Sequence, residues 1–289
     1  MNILESELQG PKITTSDIPV TRIEPSRSWP SLNLKEIWEY RELLYFLIWR
    51  DVKVKYKQTI IGAGWAILQP LITMIVFTLV FKKIADIRSD NIPYPIFAYT
   101  ALLPWNLFAG ALNRSTVSLV TQVSLISKVY FPRLIIPLSA TISGIIDFAI
   151  AFVLLVGMMF WYGIVPTAAV LSLPLFITIA LVAALSVGLW LAALNVRYRD
   201  VGHTVPFLIQ IWMFASPVAY PVSVIPEKWR LLYSLNPLAG VIEGFRWAML
   251  GKESPDFVVI AISAIAMIAL LFSGIVYFKR TERTFADLI

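Results

Sequence analysis

Few side chains in this 289-residue sequence can do chemistry, and their types restrict what that chemistry is. There are no cysteines and a single histidine, His203. No thiolate nucleophile, disulfide or Cys/His-rich metal centre can therefore be built, and neither a metal nor a cofactor is expected on this chain. His203 reads as a helix-terminus or interface residue. The phosphate-binding pattern G-x-x-x-x-G-K-[ST] is absent; Gly62-Ala63-Gly64 lacks the following Lys-Ser/Thr pair and opens an apolar run. Neither HExxH nor GxSxG occurs, so the expectation is a chain that is not an enzyme and does not itself hydrolyse ATP.

The charged residues that remain are few and oddly placed. Asp147 lies inside an apolar run, in Ser143-Gly144-Ile145-Ile146-Asp147-Phe148. Ionisable groups in such runs are costly and mark function by default. Two readings stay open: an acceptor for a neighbouring helix, or a marker of a transport or proton path. Glu243 and Arg246 stand at i, i+3 and can share one helix face. Arg50, Lys53, Lys55 and Lys57 form the basic end of a helix-patterned segment.

The elements that position these residues follow from composition. The chain is 58% hydrophobic and 15% charged. A soluble domain is about 45–50% apolar and about 25% charged. A water-soluble globule and a disordered chain are both excluded, leaving an integral membrane protein. Six apolar runs near 60–81, 95–112, 134–162, 168–194, 205–220 and 257–278 are expected to cross as helices. The expected fold is thus all-α and polytopic, with six transmembrane helices over residues 59–289.

Two further segments complete that expectation. Residues 34–58 show apolar positions (Leu34, Ile37, Trp38, Leu44, Tyr45, Ile48, Val52) at helical spacing opposite Lys35, Glu39, Glu42, Arg50, Lys53 and Lys57. This predicts an amphipathic interface helix lying in the headgroup layer. Between spans five and six, Trp229–Leu235 and Leu238–Leu250 flank Asn236-Pro237 and predict a re-entrant hairpin at about 222–254. Residues 1–33, broken by Pro11, Pro19, Pro25 and Pro30, read as a mobile tail rather than a targeting signal.

Placing both termini on one side puts 17 of the 24 Lys and Arg residues there, or 14 against 7 without the tail. The positive-inside rule then makes both termini cytoplasmic. On that side fall Lys128-Val129-Tyr130-Phe131-Pro132-Arg133 and Asn195-Val196-Arg197-Tyr198-Arg199-Asp200. A short helix stopped by Pro132, with exposed Tyr130 and Phe131, suits a docking knob for a soluble partner as well as an ordinary loop. Aromatics, including Trp105, Phe108, Trp212, Tyr220, Trp229, Tyr233, Phe245 and Trp247, cluster on the opposite half. They suit an interfacial belt, or a surface on which sugar rings lie against aromatic faces.

The stretch Arg41-Glu42-Leu43-Leu44-Tyr45 through Arg50-Asp51-Val52-Lys53-Val54-Lys55-Tyr56-Lys57-Gln58 continues into Ile61-Gly62-Ala63-Gly64-Trp65 and Gln69-Pro70. It resembles the lead-in helix and first span of permease subunits of ATP-binding-cassette polysaccharide exporters, of the O-antigen (Wzm) and teichoic-acid (TagG) types. Lys128–Arg133, the Asn195–Asp200 turn, Asn236-Pro237 with Glu243-Gly244-Phe245-Arg246, and the ending Phe278-Lys279-Arg280-Thr281-Glu282-Arg283-Thr284-Phe285-Ala286-Asp287 agree with it. The resemblance runs from Leu34 to the C-terminus.

It implies a homodimer in the bacterial inner membrane with two copies of a separate ATPase subunit, which would hold ATP and Mg. It also implies a cargo, a polyprenyl-diphosphate-linked glycan with O-antigen expected first; membrane lipids are partners and nucleic acid is not. On that reading Arg50, Lys53, Lys55 and Lys57 meet the lipid diphosphate. Lys128, Tyr130, Phe131, Pro132, Arg133, Arg197, Arg199 and Asp200 contact the ATPase. Trp105, Phe108, Trp212, Tyr220, Trp229, Tyr233, Phe245 and Trp247 line the glycan channel, and Asp147, Glu243 and Arg246 shape or gate it. Teichoic-acid or capsule export is the alternative within the family. A proton-coupled glycan transporter would need more intramembrane carboxylates, and a membrane enzyme would need a paired acid and base.

Overall fold

The computed structural model describes residues 34–57, 62–87, 89, 92–251 and 257–285, all within one compact unit, Leu32–Ile289. The expected tail (1–33), the junction at 58–61 and residues 252–256 lie outside the described residues. Among the described residues the architecture is entirely helical. The helices are α1 (Leu34–Glu39), α2 (Arg41–Tyr56), α3 (Gly64–Phe77, prolonged by a π-helical stretch Thr78–Ile84), α4 (Tyr94–Thr121), α5 (Val123–Lys128), α6 (Ile135–Ile142) and α7 (Gly144–Tyr162). After a 3-10 turn at Ala168–Ser172 come α8 (Leu173–Arg197), α9 (Val201–Phe214), α10 (Glu227–Ser234), α11 (Pro237–Leu250) and α12 (Phe257–Glu282).

Among the described residues, five helical stretches are long and apolar enough to cross a membrane: Gly64–Ile84, Tyr94–Thr121, Ile135–Tyr162, Ala168–Arg197 and Val258–Glu282. The fifth expected run, 205–220, differs. It begins earlier, at Val201, and its helix stops at Phe214, giving 14 residues. At about 1.5 Å per residue that is roughly 21 Å, short of the ~30 Å hydrocarbon core. The chain then breaks into turns through Ala215–Tyr220.

α4 is the axis of the bundle. Some 78% of its most apolar stretch is buried in protein, against 17% for Gly64–Ile84. It is two turns longer than the expected 95–112 run because residues 113–121, although rich in Ser and Thr, stay helical. Their hydroxyls donate back along the helix, Thr116 to the Leu112 carbonyl at 2.8 Å and Ser118 to the Ser115 carbonyl at 2.7 Å. Buried polar side chains are thereby satisfied without water. α8 runs parallel to α4 in close contact: a Cβ at Gly188 would lie 2.5 Å from Ser115 Oγ. Small residues let backbones approach where apolar burial supplies no drive between helices in lipid.

The predicted interface helix is two helices, α1 and α2, meeting at Tyr40. Its apolar positions do not all face one covered side. Leu47 is buried beneath α2, but Trp38 and Tyr45 are exposed, as are Phe46 and Trp49. Residues 227–250 are two helices parted at Leu235 and Asn236, as the Asn-Pro signal suggests. Asn236 caps α11 by accepting from the Leu238 N–H at 3.1 Å, Pro237 occupies the first turn, and Gly251 ends the helix at φ 64°. α11 is buried on nearly every side, whereas most of α10 is exposed.

A second apolar core gathers at one end of the bundle. There Leu47 of α2, Ile126, Phe131 and Ile135 meet the last turns of α8 and α12. Phe278 and Phe285 close it edge to face, with ring centroids 5.5 Å apart. The ends of α4 and α8 are pinned together here, since Asn195 Nδ2 donates to the Thr116 carbonyl at 3.1 Å.

Candidate functional site

Three groups of side chains stand out. The first surrounds Asp147, which is not isolated as the sequence suggests. Its carboxylate accepts from Lys55 Nζ at 2.5 Å and from the Tyr56 hydroxyl, both on α2. Arg114 Nη1 of α4 stands 3.7 Å away. Burial and the adjoining carboxylate push the Tyr56 hydroxyl pKa up, so it stays protonated and donates. Arg114 lies beyond the expected second span, which ends at 112, yet is within α4. Its Nε donates to the Ala140 carbonyl at 3.1 Å, beside the break between α6 and α7. That break makes room for it: a Cβ at Gly144 would lie 2.2 Å from Arg114 Nη2. Asp147 is thus joined to both the lead-in helix and the central helix.

The four basic residues expected to act together are divided. Arg50 pairs with its neighbour Asp51 at 2.7 Å, and Lys55 with Asp147. Lys53 sits 5.4 Å from the centroid of the Trp49 ring, and Lys57 is exposed. Arg50 and Lys55, but not Lys53 or Lys57, border a cavity of about 450 Å³ that also includes Arg114 and Asp147. A second cavity, about 220 Å³, shares Lys55, Arg114 and Asp147 with it. Tyr56 and Arg114 were not foreseen as site residues. The signal was an Arg among Ser and Thr beyond the second apolar run.

The second group is the surface over the end core. Lys128, Val129 and Tyr130 are exposed, as is the whole turn Arg197–Asp200. Asn195 positions that turn, its Oδ1 accepting from the Gly202 N–H at 2.9 Å. Phe131 corrects the sequence expectation: it is 4% exposed, and Pro132 is buried as well. The end core needs an aromatic wedge between α5 and α6, and Phe131 fills that place. Arg133 is also engaged. Its Nη1 donates to the Glu282 carbonyl at 2.7 Å and its guanidinium lies 5.9 Å from the centroid of the Phe285 ring.

The third group is aromatic, at the opposite end. Trp212, Trp229 and Tyr233 line an open cavity of about 340 Å³ with Ala215, Leu232 and Asn236. Trp212 Nε1 donates to Asn236 Oδ1 at 3.1 Å, and Tyr233 donates to the Tyr220 hydroxyl at 3.3 Å. Trp105, Phe108 and Phe245 do not line any surface of this chain; each is at most 2% exposed in the main core. Their helices, α4 and α11, are largely covered by protein, and these aromatics lie on the covered faces and fill space. Phe108 stands behind Trp212 at 5.1 Å, edge to face. Trp247 is half-buried against the same core.

Arg246 is buried, unlike a gate residue facing an aqueous opening. Its Nη2 donates to the Val218 carbonyl at 2.7 Å, and its guanidinium lies 3.6 Å from the centroid of the Phe97 ring. It therefore clips the turn after α9 onto α4 and α11. Glu243 is half-buried one turn earlier. Among the described residues no group of three or more His, Cys, Asp or Glu side chains is placed to hold a metal.

The chain matches the ABC-2 type transporter family over residues 42–250, from the first turn of α2 to the end of α11. It is 30% identical to the O-antigen export system permease protein RfbA of Myxococcus xanthus, over 89% of this chain and 98% of that protein. Identity to the O-antigen export system permease protein RfbA of Klebsiella pneumoniae is 28%, over 86% of this chain and 95% of the relative. A more distant relative is the polysialic acid transport protein KpsM of Escherichia coli, 23% identical over 82% of this chain and 92% of that protein. Match and geometry agree on one conclusion: this multi-pass membrane protein belongs to the ABC-2 type transporter family.

Proposed function

We propose that this chain is the permease subunit of an ABC exporter that carries a lipid-linked polysaccharide of the O-antigen class across the bacterial inner membrane. The observation that carries the reading is the near full-length similarity to O-antigen export permeases, with the family match running from α2 to the end of α11. ATP hydrolysis belongs to a separate nucleotide-binding subunit. Two copies of that subunit dock on a homodimer of this chain, at the end bearing Lys128, Tyr130 and Arg197–Asp200. In support, these side chains project from a rigid apolar core, so a push on them is transmitted to α4, α8 and α12. The cytoplasmic side is this end, because most Lys and Arg residues flank it.

In the membrane, α9 with the turn through Tyr220 makes a thin sixth crossing, and α10–α11 fold back as a re-entrant hairpin at the outer face. α1 and α2 lie in the cytoplasmic headgroup layer, where the exposed Trp38, Tyr45 and Trp49 suit an interface. The glycan advances along the dimer axis past Trp212, Trp229, Tyr233 and Tyr220. Flat aromatic faces hold sugar rings weakly at many positions, which permits sliding. The ATPase can drive this only by favouring one channel state over another. The test is reconstitution of the chain with its partner ATPase in proteoliposomes holding a polyprenyl-diphosphate glycan. ATP-dependent protection of the glycan inside the vesicle is expected; ATP hydrolysis without translocation of any lipid-linked glycan would exclude the reading.

A further inference from the structure

The cluster around Asp147 carries one cation in excess: Lys55 and Arg114 face the Asp147 carboxylate, while Asp51, on the same cavity wall, is taken up by Arg50 at 2.7 Å. Lys55 at 2.5 Å and the Tyr56 hydroxyl bond Asp147 directly, whereas Arg114 Nη1 at 3.7 Å is beyond hydrogen-bond reach. Arg114 is held by other means, through Nε on the Ala140 carbonyl and by its seat against Gly144. Its guanidinium edge is therefore presented to the site independently of Asp147. Cavities of about 450 and 220 Å³ meet at Lys55, Arg114 and Asp147, so the cations face open space on two sides. Lys, Arg and a phenol donor around such a space match phosphate oxygens.

We propose that Asp147 is a built-in counter-anion. A diphosphate on a lipid-linked ligand replaces its carboxylate on Lys55, Tyr56 and Arg114, and that exchange releases α2 from α7. The proposal rests on the exporter reading and names where the charged group of its substrate is held. A diphosphate carries more negative charge than one carboxylate and offers more acceptor oxygens to the same donors. Half of the Lys55 side chain is exposed, and partly exposed pairs are individually weak, so the resting contact can be exchanged. The ligand shifts α2 because it bonds these donors only after Asp147 has withdrawn.

The full chain contains no cysteine, so spin labels can be placed cleanly at F46C on α2 and V153C on α7. In phosphatidylcholine nanodiscs, binding of inorganic pyrophosphate and of farnesyl diphosphate is measured together with the label separation. Asp147→Asn is expected to bind both about tenfold more tightly and to widen the separation without ligand. Wild type widens only with diphosphate, and Lys55→Gln widens without ligand but binds more weakly. Unchanged or weaker binding by Asp147→Asn, or an unaltered separation in Lys55→Gln, overturns the proposal. Widening by phosphatidylglycerol alone, with no further response to diphosphate, overturns the substrate assignment and makes a bilayer headgroup the occupant. ATP-driven export by the assembled complex is read in parallel. Export without diphosphate binding removes the counter-anion and leaves the exporter reading; no export by wild type removes that reading itself.

Discussion

Arg133 holds the end of α12: its guanidinium donates to the Glu282 carbonyl at 2.7 Å, while the Glu282 carboxylate accepts from the Arg133 N–H at 3.3 Å. Phe131, two residues earlier, is inserted into the core beneath. Substitutions here therefore act on stability before they act on docking. Phe131→Ala is expected to cost about 3–5 kcal/mol, seen as a lowered thermal transition in detergent. A transition at the wild-type temperature would show that the end core does not depend on this ring.

Tyr130 and Arg199 are exposed on the same end and separate docking from folding. Tyr130→Ala and Arg199→Ala should leave stability within about 0.5 kcal/mol. Both should nevertheless lower export per ATP hydrolysed when the ATPase is present. Full coupling in the double variant would move the docking surface elsewhere.

Gly188 tests the contact of α4 with α8. Gly188→Ala places a Cβ 2.5 Å from Ser115 Oγ and should destabilise by about 1–3 kcal/mol. Ser115→Gly in the same chain should recover most of the loss, since it removes the clashing atoms. Equal destabilisation in single and double variants, measured by thermal unfolding, would refute the close approach.

The aromatic residues divide by burial, and their variants should too. Trp105→Ala is expected to cost about 3–5 kcal/mol. Trp229 is 52% exposed beside the open cavity, so Trp229→Ala should keep the wild-type thermal transition. It should slow export of long glycans more than short ones, because a chain touching many weak sites loses one contact per passing sugar. An equal effect on all lengths would argue for a membrane belt.

Arg246→Ala removes the donor to the Val218 carbonyl and the cation over Phe97. A hydrogen bond from a charged group contributes about 1.5–3 kcal/mol, and the loss should appear as proteolytic nicking in the exposed stretch 226–230. Arg246→Lys should rescue only partly, since an ammonium cannot lie flat on the ring while reaching the carbonyl.

Periodicity and composition were enough to read helices, the membrane and most span positions, because an apolar run longer than a bilayer is thick has few other fates. The Asn236-Pro237 break was legible for a similar local reason: cap and proline act on their own turn. What the local pattern misjudged was the length of α4, whose helix continues past the expected end at Leu112 through Ser, Thr and Arg114. Polarity in a sequence does not distinguish exposure to water from burial among partners. The carbonyls within α4 and the Asp147 cluster make those residues interior.

The sequence by itself determined that this chain lives in a membrane and contains no G-x-x-x-x-G-K-[ST] phosphate-binding pattern. Tertiary structure alone decided that Lys55, Tyr56, Arg114 and Asp147 share one site, though 92 residues separate Lys55 from Asp147. It also decided that Phe131 is core and Tyr130 surface, and that Trp229 borders a cavity while Trp105 fills space. Residue types set which interactions are affordable in lipid, and those act along a few turns of chain. Which side chains meet depends on how helices distant in sequence pack, and no local pattern contains that geometry.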